Sequence, residues 1–95
     1  MEYKTFIDSL TEAEPPETLN DLLQALWFDA QGDWVTAHNA AQRVQTDQGS
    51  LVHAYLHRKE GDITNARYWY KMAKADEFNG TIEEEWETLL KKFLE

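Results

Sequence analysis

The sequence predicts an all-α protein, and three observations support that class. Apolar residues recur three and four positions apart through most of the 95-residue chain, which is the period of amphipathic helices. Two Gly-Asp pairs, 32–33 and 61–62, each join a residue that readily ends a helix to one that caps the next helix. No stretch shows the apolar–polar alternation of a strand. A chain of this length is expected to form a single domain over residues 1–95.

The first half of the chain predicts three helices. An opening amphipathic helix should precede the prolines, with an apolar face formed by Tyr3, Phe6, Ile7 and Leu10. Pro16 is favourable in the first turn of a helix, so we expect the second helix to start there and to run to about Gln31. Asp33 should cap the third helix, which we expect to end near Asp47.

The second half predicts the remaining helices. Gly49-Ser50 is interpreted as another stop-and-cap pair, which places the fourth helix over about 51–60. Asp62 should cap a fifth helix over about 63–75. Thr81 and Glu84 form a capping box that should open a C-terminal helix over about 81–94. The prediction is therefore five to six short helices.

The middle of the chain contains an internal repeat. Two segments align without gaps at an offset of 29 residues, from Gly32 to Gly61. Each reads helix, Gly-Asp corner, helix, which predicts two tandem αα-hairpins at about 18–48 and 50–75. Small residues recur at equivalent positions and should let helix backbones approach closely: Ala25 with Ala54, and Ala37 with Ala66.

This hairpin pattern resembles the tetratricopeptide repeat. The residues that carry the resemblance are Ala54, Gly61, Ala66, Tyr70 and Ala73 in the second copy, and Ala25, Phe28, Gly32 and Ala37 in the first. The resemblance implies a scaffold that binds a protein or peptide partner and carries no chemistry of its own.

A second resemblance covers the chain from about Leu19 to Ala75. The run HRKEGDITNARYWYKMA is similar to a family of small uncharacterised helical proteins. The pairs that carry it are His57-Arg58, Gly61-Asp62, Asn65-Ala66 and Tyr68-Trp69. This resemblance implies a helical fold and no particular activity.

The composition narrows the classes of function. A net charge of −9 argues against nucleic acid or an anionic membrane as the partner, because phosphate binding needs clustered Lys and Arg. The charge is uneven: residues 1–50 carry −7, residues 51–75 carry +3 and residues 76–95 carry −5. The chain has no Cys, no signal-peptide pattern and no apolar run of membrane-spanning length, so we expect a soluble, cytoplasmic protein.

Two histidines offer a candidate metal site. His53 and His57 are four residues apart on one predicted helix, so both imidazoles point to the same side. His38 or Glu60 could supply a third ligand for zinc or another divalent metal. The alternative is that the two histidines lie at a seam between helices and bond to Asp62, Asn65 or Tyr68.

The basic middle segment offers a candidate binding surface around His53, His57, Arg58, Asn65 and Trp69. Arg58 could supply a planar fork for an anion or carboxylate, with His57 as a second donor and Trp69 as a wall. The alternative is that Arg58 pairs with an Asp or Glu of the same chain and fixes a corner of the hairpin.

Nucleophilic catalysis has no support, because the chain lacks Cys and has no serine-centred elbow. Glu83, Glu84 and Glu85 are expected to be solvated in the first turn of the last helix. We therefore predict a non-enzymatic binding or scaffold module without a cofactor, able to pair as a homodimer through its terminal helices. The alternative is a small metal-binding protein or metalloenzyme that uses His38, His53 and His57.

Overall fold

The computed structural model describes residues 1–94 and confirms the all-α class. Within those residues the chain forms six helices and no strand. The helices are α1 (Tyr3–Ser9), α2 (Asp21–Ala30), α3 (Trp34–Gln42), α4 (Asp47–Glu60), α5 (Ile63–Met72) and α6 (Ile82–Leu94).

The two Gly-Asp corners have nearly the same geometry. Gly32 and Gly61 both adopt the left-handed conformation, with φ of 84° and 93°. The side chain of Asp33 caps α3 and that of Asp62 caps α5, each accepting from the backbone N–H three residues further on. The corners therefore fold α2 against α3 and α4 against α5 as two hairpins.

Two predicted helix starts are wrong. Helix α2 begins at Asp21 rather than at Pro16, because Asn20 accepts the N–H of Leu23 at 3.0 Å and so caps the helix. Helix α4 begins at Asp47 rather than at Leu51, with Thr46 as its cap. The border between the hairpins is thus the short connection 43–46.

Gly49 does not stop a helix, as its pairing with Ser50 suggested, but lies within the first turn of α4. A Cβ atom at this position would come within 1.8 Å of the carbonyl oxygen of Val44. Glycine is therefore required here for close approach of the connection 43–46 to α4.

Helix α4 is the central element of the fold. It packs against α2, α3, α5 and α6, while no Cα atom of α3 comes within 8 Å of a Cα atom of α5. Fully buried alanines lie where the helices of each hairpin cross: Ala25, Ala37, Ala54 and Ala66. The larger core side chains gather around α2, α4 and α6: Phe6, Leu26, Trp27, Val52, Tyr55, Leu56 and Leu90.

Helix α6 closes the bundle. The capping box predicted at its start is present, since Thr81 and Glu84 exchange backbone and side-chain hydrogen bonds. The Trp86 indole N–H donates to the carbonyl of Leu26 at 3.0 Å, which ties α6 to the first hairpin. None of the described helices combines the length and the apolar character needed to cross a membrane.

Candidate metal centre

Three histidines, one from α3 and two from the central helix α4, lie close together. His53 and His57 project from α4 one turn apart, and His38 comes from α3, which packs against the same side. One nitrogen from each imidazole can be chosen so that all three lie within 4.8 Å of one another. We call His38, His53 and His57 the imidazole cluster. The hairpin architecture thus unites residues that lie up to 19 positions apart in the sequence.

Two tryptophans hold the rings of the imidazole cluster in place. Trp34 stacks on His38 with ring centroids 4.9 Å apart, and Trp69 stacks on His53 at 4.2 Å. The Trp34 N–H donates to the carbonyl of Leu56 at 2.8 Å, so this indole is itself fixed to α4. Trp34 of α3 and Trp69 of α5 thus flank the imidazole cluster.

The polar contacts of the cluster are uneven. His57 is 7% exposed, and its Nδ1 lies 2.7 Å from a carboxylate oxygen of Glu60. The Asn65 amide nitrogen lies 3.4 Å from His57 Nε2. His53 is 5% exposed, and its Nδ1 is fully buried without a hydrogen-bond partner among the described residues. A buried polar atom without a partner is rare in a folded protein and calls for a physical reason.

His53 and His38 favour their neutral form. Burial is the largest of three effects that together lower the pKa of His53 from 6.5 to about 4, the other two being the neighbouring His38 and His57. Burial also lowers the pKa of His38, with His57 acting in the same direction and Glu60 opposing it. A neutral imidazole carries a free lone pair, which is the form that binds metal ions.

Arg58 lies apart from the other predicted surface residues. His53 contacts Trp69 and His57, and His57 contacts Asn65. The Arg58 guanidinium instead donates to Glu85 of α6 at 2.9 Å and to the carbonyl of Gly80. Arg58 therefore forms an ion pair with a carboxylate of the same chain, which was the alternative to an anion-binding role. These guanidinium N–H groups donate to other groups of the protein.

Glu85 corrects a prediction. It was expected to be solvated, but it is 1% exposed and accepts from Arg58 and from the Tyr70 hydroxyl. The spacing Ile82, Glu85, Leu89 places this carboxylate on the apolar stripe of α6, and that signal could have identified it.

Sequence reasoning also missed a second buried carboxylate. Asp29 is 3% exposed and accepts from the Tyr55 hydroxyl at 2.5 Å and from the Lys59 ammonium at 2.9 Å. The signal was again spacing, since Leu22, Leu26 and Asp29 follow one face of α2.

Comparisons of the chain with models of protein families, with curated proteins and with solved structures find no match in any of the three. The protein is an all-helical bundle in which three histidines cluster, with His53 and His57 buried and His38 half-buried.

Proposed function

We propose that the protein binds a divalent transition-metal ion, with zinc as the preferred ion, through His38, His53 and His57. The observation that carries this proposal is the convergence of three imidazoles, whose ligand atoms lie within 4.8 Å of one another. Imidazole nitrogen suits zinc, copper, iron and nickel, and three histidines form a well-known zinc ligand set.

The distances are compatible with a bound ion after a small closure. Nitrogen atoms about 2.0–2.1 Å from a tetrahedral zinc ion lie roughly 3.3 Å apart. Because the three nitrogen atoms already lie within 4.8 Å of one another, each pair has to close by at most about 1.5 Å, which modest side-chain rotations can supply.

The surroundings of the cluster also suit a metal. Glu60 at His57 Nδ1 is the kind of carboxylate that orients a ligating imidazole and strengthens it as a ligand. Metal binding would also give the three rings a common polar partner in a cluster where His53 Nδ1 has none. His38 belongs to the first hairpin and the other two ligands to the second, so the ion would cross-link the hairpins and stabilise the fold.

The test is zinc binding by metal-free protein prepared without a histidine tag. We expect one ion per chain by native mass spectrometry. At a free zinc concentration of about 100 times Kd, binding adds about 2.7 kcal/mol of stability, or roughly 10–20 °C in Tm for a domain of this size. His38→Gln should leave the helical circular dichroism intact, because His38 is half-buried, and should abolish most of the shift.

A matched control distinguishes zinc binding by the imidazole cluster from zinc binding by nearby carboxylates. His57, Glu60 and Asp62 form a second possible ligand set. Asp62→Asn removes a ligand from that set but keeps a residue that caps α5 well. The Asp62→Asn protein should bind zinc with the same affinity as the unaltered protein. Equal zinc binding by His38→Gln and the unaltered protein, or a larger loss in Asp62→Asn, would overturn the assignment.

A protein or peptide partner is the second candidate, and a cavity supports it. A cavity of about 400 Å³ lies beside His53 and Trp69. It is lined by Gln42, Val44, Gln45, Thr46, Asp47, Ser50, His53, Trp69 and Met72. The side chain of Met72, which is part of this lining, is exposed. Apolar and aromatic side chains beside a concave surface are typical of interface anchors.

The partner surface can be tested with two exposed apolar residues. Met72→Glu places a charge at the cavity, whereas Val35→Glu places one on an exposed position of α3 outside its lining. A specific partner captured by the protein should be lost with Met72→Glu and kept with Val35→Glu. Equal loss in both would count against the surface. Sedimentation velocity over a range of concentrations tests the homodimer.

A further inference from the structure

A second cavity lies on the other side of α4. Tyr55 and Lys59 follow His53 and His57 by two positions, which turns them about 200° around the helix. They contribute to a cavity of about 300 Å³, near the lower limit for small-molecule sites. We call it the Trp86 pocket, and it is lined by Ile7, Leu10, Asp29, Ala30, Tyr55, Lys59, Ile82, Glu83 and Trp86.

The polar residues of the Trp86 pocket are not equivalent. Asp29 is buried and is already bound by the Tyr55 hydroxyl and the Lys59 ammonium, so its charge is paired within the protein, while Lys59 stays partly exposed. Glu83 is exposed and forms no ion pair with any residue of 1–94. The pocket therefore contains two carboxylates and one ammonium, with an excess of one negative charge, and Glu83 is the carboxylate without a counter-ion.

The walls of the pocket are apolar and aromatic. Ile7 of α1, Leu10 directly after it and Ile82 of α6 all line it. The Trp86 N–H is committed to the carbonyl of Leu26, so the indole offers the pocket only its ring surface. An indole face attracts cations through its electron-rich ring.

We infer that the Trp86 pocket binds a small organic ammonium ion: a primary amine attached to an aromatic or branched aliphatic body. The ammonium pairs with the Glu83 carboxylate and lies against the Trp86 ring, while the body replaces water on the apolar walls. The hydrogen-bonded Asp29, Tyr55 and Lys59 line the same pocket. This site is independent of the imidazole cluster, because the two share no lining residue.

The probe is 2-phenylethylamine, added to the isotope-labelled full chain and followed by chemical shifts. The indole N–H of Trp86 is the reporter, because its hydrogen bond to Leu26 fixes its position. We expect saturable shifts at this resonance with Kd on the order of 1 mM, as befits a ligand of so few atoms. The neutral analogue 2-phenylethanol and the anionic analogue 3-phenylpropanoate should bind at least several-fold more weakly.

Two variants complete the test. Glu83→Gln removes the unpaired carboxylate at an exposed position and should weaken amine binding on the order of 10-fold. Glu17→Gln removes an exposed carboxylate outside the pocket and should leave Kd unchanged. Stronger binding of 3-phenylpropanoate would assign recognition to Lys59 and overturn the amine. Equal binding of all three probes, or no saturable shift, would also overturn it.

Discussion

The buried charge of Glu85 makes the role of Arg58 directly measurable. Glu85 is 1% exposed and accepts from the Arg58 guanidinium at 2.9 Å and from the Tyr70 hydroxyl at 2.5 Å. Arg58 also donates to the carbonyl of Gly80, at the start of α6. These contacts join α4, α5 and α6, so a change at Arg58 should act on stability before it acts on any ligand.

The perturbation is Arg58→Met, which keeps an unbranched apolar stem and removes the guanidinium charge. It leaves the Glu85 carboxylate buried with Tyr70 as its only donor, and breaking a buried ion pair in this way costs about 3–5 kcal/mol. Adding Glu85→Gln removes the stranded charge while keeping an acceptor for Tyr70. The double variant should therefore be more stable than Arg58→Met alone, by roughly 2 kcal/mol.

The assay is urea denaturation followed by far-ultraviolet circular dichroism, with the slope of free energy against urea checked for constancy. If Arg58→Met loses less than about 1 kcal/mol, the ion pair is not holding the carboxylate. If Glu85→Gln fails to improve the Arg58→Met variant, the stranded-charge explanation is wrong. Either result would return Arg58 to consideration as a residue that binds an external anion.

Three further predictions concern particular side chains. Gly49→Ala should lower the free energy of unfolding by about 2 kcal/mol in urea denaturation, because the clash with the Val44 carbonyl outweighs the better helix propensity of alanine; a more stable variant would refute this. In metal-free protein, the low pKa of His53, about 4 against 6.5, means that the unfolded chain takes up a proton that the folded one excludes. The free energy of unfolding should thus fall by about 2 kcal/mol between about pH 7.5 and about pH 5. The fall should be smaller in His53→Phe, and an equal pH dependence of the two proteins would contradict this prediction. Tyr55→Phe removes a donor from buried Asp29 and should cost about 1–3 kcal/mol, measured by the same denaturation; no loss would show that Asp29 is satisfied without it.

The fold class and the corners could be predicted because their signals are local. Gly32 and Asp33 each suit one backbone position of a helix-to-helix turn, and the same pair recurs at 61–62. The capping box of α6 likewise depends on residues only three positions apart. Gly49 misled because it has a tertiary function: its missing side chain makes room for Val44, and no local pattern reveals that contact.

The candidate site could be predicted only in part. The spacing of His53 and His57 places both on one side of a helix, but the approach of His38 depends on how α3 packs against α4. The destination of Arg58 depends on α6, whose Glu85 is 27 residues away. Residue spacing predicts on which side of its own helix a side chain lies, whereas the packing of the helices decides which residue it meets there.

The closest helix pairings in this fold are between neighbours in sequence. Helix α2 packs most extensively on α3, and α4 on α5, while α6 reaches back to Leu26 through a hydrogen bond that spans 60 residues. Chains dominated by local pairings lose little loop entropy early in folding, and helical proteins of this kind fold in microseconds to milliseconds. Each hairpin should therefore form early, and the arrival of α6 should set the folding rate. Substitutions at the Gly-Asp corners should then slow refolding, whereas those at the Trp86–Leu26 contact should act in part by speeding unfolding.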